Sequence, residues 1–222
     1  MRWRSFLFFF VAAISFIFGT AEAAHLRPTI YYTPIIDMTR PPCSSSVMKT
    51  VWDTKGRTSI KLCPTDYKRC GMEGQCIVKT SSQSTLINYN STQGDKWRFD
   101  VRVGHRCKYG FGVKGYCLDP FYTVAADPKH WPAGSVIFIP KVENMLLPDG
   151  SRHTGYFIVR DRGHAIKGSS RFDFFVGFAG TWKTNSFATL GFNEQDNRIE
   201  FRAVSGREAE EARQERNYPY LP

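Results

Sequence analysis

Short runs of β-prone residues, separated by prolines and glycines, dominate the second half of the chain. Alternating apolar and polar positions of this kind are typical of strands with one buried face. The clearest runs are Phe121–Val124, Ser135–Ile139, Gly155–Val159, Phe172–Val176 and Arg198–Val204, and similar runs occur upstream at Thr58–Leu62 and Trp97–Val103. Short strands with tight turns predict a mainly β protein, built as a small barrel or sandwich.

Helical patterns are scarce in this chain. The best segment is Arg207–Arg216, where glutamates and arginines alternate with alanines and no apolar stripe is present. A helix without an apolar face has little to bury against a core. We therefore expect residues 206–222 to form a polar, solvated C-terminal tail.

The N-terminus has the three parts of a secretory signal peptide. Arg2 and Arg4 supply the positive start, Ser5–Gly19 is apolar, and Ala21 and Ala23 suit cleavage after residue 23. The apolar stretch is shorter than the ~20 residues that span a bilayer, and no cysteine follows the cleavage site to carry a lipid. We expect residues 1–23 to be removed and the protein to be secreted or periplasmic, associated with the cell wall and without a membrane anchor.

Every cysteine of the chain lies between residues 24 and 117. An even number in an exported protein predicts three disulfides, with fifteen connectivities open for six cysteines. A zinc site is the alternative, but the spacing contains no Cys-x2-Cys pair, and we expect no metal. Residues 24–117 are thus a cysteine-rich segment that contributes strands to a β-rich core at residues 118–205. The cysteines are Cys43, Cys63, Cys70, Cys76, Cys107 and Cys117.

The chain is basic, with 30 Lys and Arg against 20 Asp and Glu and a formal net charge of +10. In an exported protein this charge favours an anionic partner, such as acidic wall polymers or membrane headgroups. No motif of interleaved aromatic and basic residues stands out, so we do not expect a nucleic-acid partner. Nothing in the sequence calls for an organic cofactor.

Three aspartates are the first candidates for chemistry, because each lies in or beside an apolar run where burial can tune its acidity. Asp127 follows one strand, Asp161 ends another, and Asp173 interrupts an aromatic run. The alternatives are structural. Asp127 can cap its own turn, and Asp173 can form an ordinary ion pair with a nearby arginine or lysine.

The loop after Asp161 contains further candidates. Gly163 and Gly168 allow the backbone to turn sharply and approach a ligand closely, and Lys167 adds a cation that can orient a carboxylate or a sugar substituent. His164 adds a group that titrates near neutral pH, although a surface histidine without a role is the simpler interpretation.

From Tyr122 to Gly177 these motifs together resemble the 3D domain, a family named for three aspartates. The family includes MltA-type lytic transglycosylases and stationary-phase survival proteins. The resemblance rests on Ala126–Pro128, Pro132–Gly134, Asp161–Gly168 and Phe172–Phe174. It implies a six-stranded double-psi β-barrel, here with a disulfide-rich N-terminal extension or insertion, that gathers the aspartates in one groove.

The resemblance also implies a function. An exported lytic transglycosylase breaks the β-1,4 bond between MurNAc and GlcNAc in peptidoglycan and leaves a 1,6-anhydroMurNAc end. One carboxyl group can give a proton to the leaving oxygen and then take one from the C6 hydroxyl. We expect Asp161 in this role with Asp127 as the next choice, and Asp173 and Lys167 holding the protonation state and orienting the sugar.

One departure from the family pattern leaves other functions open. His164 stands where the family usually has a glycine, which can crowd the saccharide groove. A non-catalytic, expansin-like protein that binds cell-wall polysaccharide is therefore the main alternative. A secreted effector, in which residues 24–117 bind a foreign protein, is the second.

Overall fold

The structure, a computed structural model, describes residues 24–104, 106–178, 185–192 and 199–219. The predicted signal peptide at residues 1–23 and Arg198, the first residue of one predicted strand, lie outside these ranges. No helix within them is long and apolar enough to cross a membrane.

The regular elements are mainly strands. In chain order the strands are β1 (Ala24–Tyr31), β2 (Ile35–Asp37), β3 (Lys49–Asp53), β4 (Thr58–Leu62), β5 (Gln75–Lys79), β6 (Ser84–Gln93), β7 (Lys96–Val103), β8 (Thr123–Ala126), β9 (Val136–Phe138), β10 (Tyr156–Asp161), β11 (Arg171–Phe175) and β12 (Ile199–Val204). The α-helices are α1 (Pro64–Met72), α2 (Ser186–Thr189) and α3 (Gly206–Glu215).

Six strands close into a barrel in the order β1-β11-β8-β10-β9-β12, and β12 pairs back onto β1. β1 runs parallel to β11, and β10 runs parallel to β8. The remaining neighbours are antiparallel. The predicted mainly β, six-stranded barrel is thus confirmed, and its first strand comes from ahead of the first cysteine.

Apolar side chains from alternate positions of the barrel strands fill its interior. Phe172 and Phe174 of β11 are fully buried there with Val124 of β8 and Phe157 of β10. Because side chains alternate along a strand, the residue between the two phenylalanines, Asp173, faces outward. The outer surface of the barrel therefore receives the polar positions of these strands.

The remaining strands form a second sheet in the order β2-β5-β6-β7-β3-β4, and α1 packs against it. This second sheet, taken with α1, has its own core around Val51, Leu62, Ile87 and Phe99. The three predicted disulfides are confirmed. They join Cys43 to Cys63, Cys70 to Cys76 and Cys107 to Cys117.

The C-terminal helix α3 packs against the barrel, so the expectation of a solvated tail is wrong. Ala209 and Ala212 are buried against the outer side chains Val136, Ile158 and Val204. Two alanines one turn apart make only a narrow apolar stripe, which a sequence pattern barely registers. They help to seat the helix on the barrel wall, together with hydrogen bonds such as that from Arg213 to the Gly134 carbonyl oxygen.

Candidate active site

A β-bulge in β10 decides which way Asp161 faces. Val159 lies opposite Val124 of β8, but Asp161 lies opposite the next residue, Ala125, so Arg160 is an extra residue. Ala125 packs on the outer side of the barrel. Without the extra residue, strict alternation would turn Asp161 towards the barrel interior. The bulge therefore places the Asp161 carboxyl group on the outer surface.

Arg160 holds this bulge in place. Its side chain is completely buried. The guanidinium group donates hydrogen bonds to three backbone carbonyl oxygens: those of Cys117 at 3.4 Å, Arg216 at 2.9 Å and Pro219 at 3.1 Å. Because these oxygens come from separate parts of the chain, the backbone beside Asp161 is tied to the segment after α3.

The Asp161 carboxyl group lies against Tyr31 of β1. The Tyr31 hydroxyl donates to Asp161 Oδ2 at 3.1 Å, and the Arg162 backbone N–H donates to Oδ1 at 2.8 Å. Burial raises the pKa of Asp161 to about 7; the charge of Asp173 raises it as well, and the two hydrogen bonds oppose the rise. Asp161 is therefore partly protonated at neutral pH.

Asp173 of β11 and Asp161 of β10 flank the same residue of β8, Ala125. Asp173 and Asp161 both pair with Ala125, so their backbones are about 10 Å apart, two strand spacings. Thr29 of β1 donates its hydroxyl to Asp173 Oδ1 at 2.8 Å. Burial raises the pKa of Asp173 to about 6, against the Thr29 hydrogen bond and the charge of Arg171.

The ion pair considered for Asp173 is not present within the described ranges, where its close polar partner is the neutral hydroxyl of Thr29. Arg160, one of the cations considered as a partner for Asp173, instead donates its hydrogen bonds to backbone carbonyl groups beside α3. Because no cation among the described residues lies within ion-pair distance, the pKa of Asp173 stays raised. A raised pKa makes this carboxyl group a candidate for chemistry, whereas an ion pair would have lowered it.

Asp127 fastens a loop. Its Oδ2 atom accepts the Gly168 N–H at 2.9 Å, and its Oδ1 atom accepts the Lys129 N–H at 3.1 Å. These two backbone hydrogen bonds, with help from the charge of Lys167, lower the pKa of Asp127. Gly168 has a φ of +90°, a left-handed conformation that suits glycine. Asp127 thus holds the end of the loop that begins after Asp161.

The other candidates lie on this same loop. Lys167 and His164 are exposed. Gly163 is required by packing, because a Cβ atom there would lie 2.5 Å from Cγ1 of Ile166. Ile166 is buried and anchors the middle of the loop. The loop therefore presents Lys167 and His164 outward from an anchored base.

The structure adds one acid that sequence reasoning missed. Glu73 directly follows α1, and its Oε2 atom accepts the backbone N–H of Tyr32 at 3.3 Å. Burial raises the pKa of Glu73 to about 7, and the charge of Asp173 contributes. Its only sequence signal is its position between Cys70 and Cys76. In the part of the chain that the structure describes, no group of three or more His, Cys, Asp or Glu residues is arranged to hold a metal ion.

Solved structures with a similar fold are lytic transglycosylases. The structure of E. coli MltA with bound chitohexaose is 14% identical in sequence and superposes with a TM-score of 0.58, over 84% of this chain and 72% of that one. A membrane-bound lytic murein transglycosylase from Agrobacterium tumefaciens is also 14% identical, with a TM-score of 0.48 over 85% and 74% of the two chains. At such identities the likeness concerns the fold, and the first comparison carries it. No curated protein sequence matches the chain.

The family comparison agrees with the motifs. Residues 122–186 match the family model of the 3D domain. This range contains Asp127, Asp161 and Asp173 and begins at Tyr122, where the resemblance in the sequence starts. Residues 122–186 therefore match the 3D domain, within a chain whose fold is similar to that of the MltA lytic transglycosylases.

Proposed function

We propose that this protein is an exported lytic transglycosylase that cleaves the β-1,4 bond between MurNAc and GlcNAc in peptidoglycan. The placement of Asp161 carries the proposal. The bulge in β10 turns it outward, Tyr31 orients it, and burial raises its pKa to about 7. A carboxyl group that is protonated near neutral pH can act as a general acid. The 3D domain and the similarity in fold to MltA, which has been solved with bound chitohexaose, support the same reaction.

The first step is protonation of the leaving group. Asp161 gives its proton to the glycosidic oxygen while the bond between that oxygen and C1 of MurNAc breaks. Positive charge then develops at C1 and the ring oxygen. Asp173, with the lower pKa of the pair, is the carboxylate that carries negative charge at neutral pH and stabilises this state.

The second step closes the sugar on itself. The C6 hydroxyl of the same MurNAc forms a bond to C1 and gives its proton to the Asp161 carboxylate. The acid is thereby regenerated, no water is consumed, and the product has a 1,6-anhydro end. This exchange needs only one group that is first an acid and then a base, which suits a carboxyl group whose pKa is near the working pH.

The remaining candidates receive positioning or binding roles in this proposal. Asp127 stays ionised and fastens the loop after Asp161, so it is a weaker candidate for proton transfer than the sequence suggested. Lys167 and His164 contact the saccharide from this loop, in which Gly163 leaves room for the buried Ile166.

The cell-wall location follows from charge and targeting. Residues 1–23 serve as a signal peptide, and the excess of basic side chains in the remaining chain draws the exported protein towards peptidoglycan with acidic stem peptides.

The test is mass spectrometry of soluble products from purified sacculi incubated with oxidised protein lacking residues 1–23. We expect anhydroMurNAc ends from the unmodified protein and a rate at least about a hundredfold lower for Asp161→Asn, because a general acid contributes about 10²- to 10⁴-fold. Glu143→Gln, which changes an exposed carboxyl group of the barrel, is the matched control and keeps full activity.

Two results would contradict the proposal. Reducing ends instead of anhydro ends would identify a hydrolase. No products from a folded protein that still sediments with sacculi would identify a polysaccharide-binding protein of the expansin-like kind.

A further inference from the structure

The second sheet approaches the candidate active site at the end of β1. Glu73 Oε2 accepts the N–H of Tyr32, the residue after β1, at 3.3 Å. Gln75, two residues further on, is buried and donates its side-chain amide to Thr33 Oγ1 at 2.7 Å. Two neighbouring side chains of the second sheet thus hold two successive residues that follow Tyr31. The end of β1 is therefore positioned by the second sheet as well as by the barrel.

The turn that carries Glu73 is itself fixed. The Cys70–Cys76 disulfide closes the turn from α1 into β5. Inside it, the Glu73 N–H donates to the Arg69 carbonyl oxygen at 3.0 Å, and the Gly74 carbonyl oxygen accepts the N–H of Tyr89 at 2.7 Å. A carboxyl group on such a closed turn has little freedom to move away from β1.

Glu73 shares an electrostatic environment with the proposed catalytic pair. The groups whose charges interact with it are Tyr31 of β1, Tyr32 directly after β1, Asp173 of β11 and Arg69 of α1. Burial and Asp173 raise the pKa of Glu73, whereas Arg69 opposes the rise. Glu73 in turn contributes to the raised pKa of both tyrosines. The charge of Glu73 therefore acts on the tyrosine that binds Asp161.

We propose that Glu73 is a positioning residue of the active site, supplied by the second sheet. Through the backbone of Tyr32 it holds Tyr31 against Asp161. This inference rests on the proposed function, because it assigns Glu73 to the machinery of the same reaction. It also gives the second sheet, with its Cys70–Cys76 disulfide, a part in positioning the active-site residues of the barrel.

The test compares two substitutions that separate charge from position. Glu73→Gln keeps an acceptor for the Tyr32 N–H but removes the charge. In this variant we expect carboxyl carbon NMR to show Asp161 titrating as in the unmodified protein, because the Tyr32 backbone and the Tyr31 hydroxyl stay in place. Glu73→Leu also removes the acceptor. Its Asp161 should titrate at higher pH, because a displaced Tyr31 hydroxyl no longer favours the ionised form, and on soluble glycan strands its kcat should fall about tenfold with little change in KM.

Asp66→Asn is the matched control, because Asp66 lies on the same helix and its carboxylate pairs with Arg69 at 3.8 Å. It should leave the titration of Asp161 unchanged. The inference is overturned if Asp161 titrates in Glu73→Leu, or in Glu73→Ala where the leucine variant does not fold, as it does in the unmodified protein. The NMR titration needs no turnover. A shifted Asp161 titration without anhydro products would support the positioning role and reject the proposed reaction, while normal products with an unshifted titration would reject only the role of Glu73.

Discussion

Asp161 and Asp173 carry the same functional group and flank the same residue, Ala125, yet their surroundings give them different acidities. Burial raises both pKa values, to about 7 for Asp161 and about 6 for Asp173. The charge of Asp173 adds to the rise at Asp161, while Thr29 donates a hydrogen bond that favours the ionised form of Asp173. Two interacting acids with separated pKa values can divide the tasks of holding a proton and holding a charge.

Replacing Tyr31 by Phe tests how Asp161 is tuned. The proposed reaction needs protonated Asp161, so the rate of anhydromuropeptide release should fall as pH rises through about 7. The Tyr31 hydroxyl stabilises the ionised carboxylate, and its loss should move this fall to higher pH, by roughly one unit for a net hydrogen bond of about 1 kcal/mol. Rates measured from pH 5 to 9 give the answer. Tyr32→Phe is the control, and a fall that moves to lower pH in Tyr31→Phe would contradict the assignment.

At the scale of elements, the segment after α3 acts as a brace for the strand that carries Asp161. Carbonyl oxygens of Arg216 and Pro219 accept hydrogen bonds from the buried Arg160. The side chain of Arg216 turns the other way, to a bidentate ion pair with Asp119 at 2.8 and 2.9 Å, over the ring of Tyr122. The helix is thereby secured to the barrel at the bulge.

Arg216→Ala should therefore be far more destabilising than most surface substitutions. It leaves the buried carboxylate of Asp119 without its partner, which costs about 3 kcal/mol of unfolding free energy. Arg207→Ala removes an exposed ion pair with Glu211 on the same helix and should cost under about 0.5 kcal/mol. Urea unfolding measures both values. Equal effects of the two substitutions would show that the brace contributes nothing.

For the whole molecule, the site makes stability depend on pH. The folded pKa values of Asp161, Asp173 and Glu73 lie at about 6 to 7, above those of the unfolded chain, near 4. The folded state therefore holds more protons, and stability falls as pH rises through this range. Buried His153 has the opposite effect, because its pKa is lowered to about 4 and its contribution grows as pH rises towards 6.5.

Above pH 6.5 the three carboxyl groups together outweigh His153, whose remaining contribution is small because the unfolded histidine is already half deprotonated there. We expect the free energy of unfolding to decrease on the order of 1 kcal/mol between pH 6.5 and 8, and to decrease less in Asp161→Asn. Urea titrations at a series of pH values measure this slope. A slope that is the same in the variant would mean that Asp161 titrates at its ordinary pKa.

Much of the architecture was predictable because it follows from local patterns in the sequence. Phe172–Val176 alternates as a strand should and corresponds to β11, and the even number of cysteines predicted the disulfides. Asp127 shows the limit of such patterns. The sequence indicated that Asp127 could hydrogen-bond its own turn, but its hydrogen bond with the Gly168 N–H joins residues 41 positions apart and could be found only from the tertiary structure. The apolar stripe of α3 was missed because alanines are weak markers of burial.

The sequence by itself determined the mainly β class, the number of disulfides and the 3D motifs, since these depend on residues close together in the chain or on simple counting. Only the tertiary structure decided which acids act together. The outward turn of Asp161 depends on one extra residue in its pairing with β8, which no periodicity reveals. The approach of Glu73 to β1 depends on packing between the second sheet and the barrel, across 41 residues of chain. Such contacts arise from the register and docking of whole elements, which local preferences do not specify.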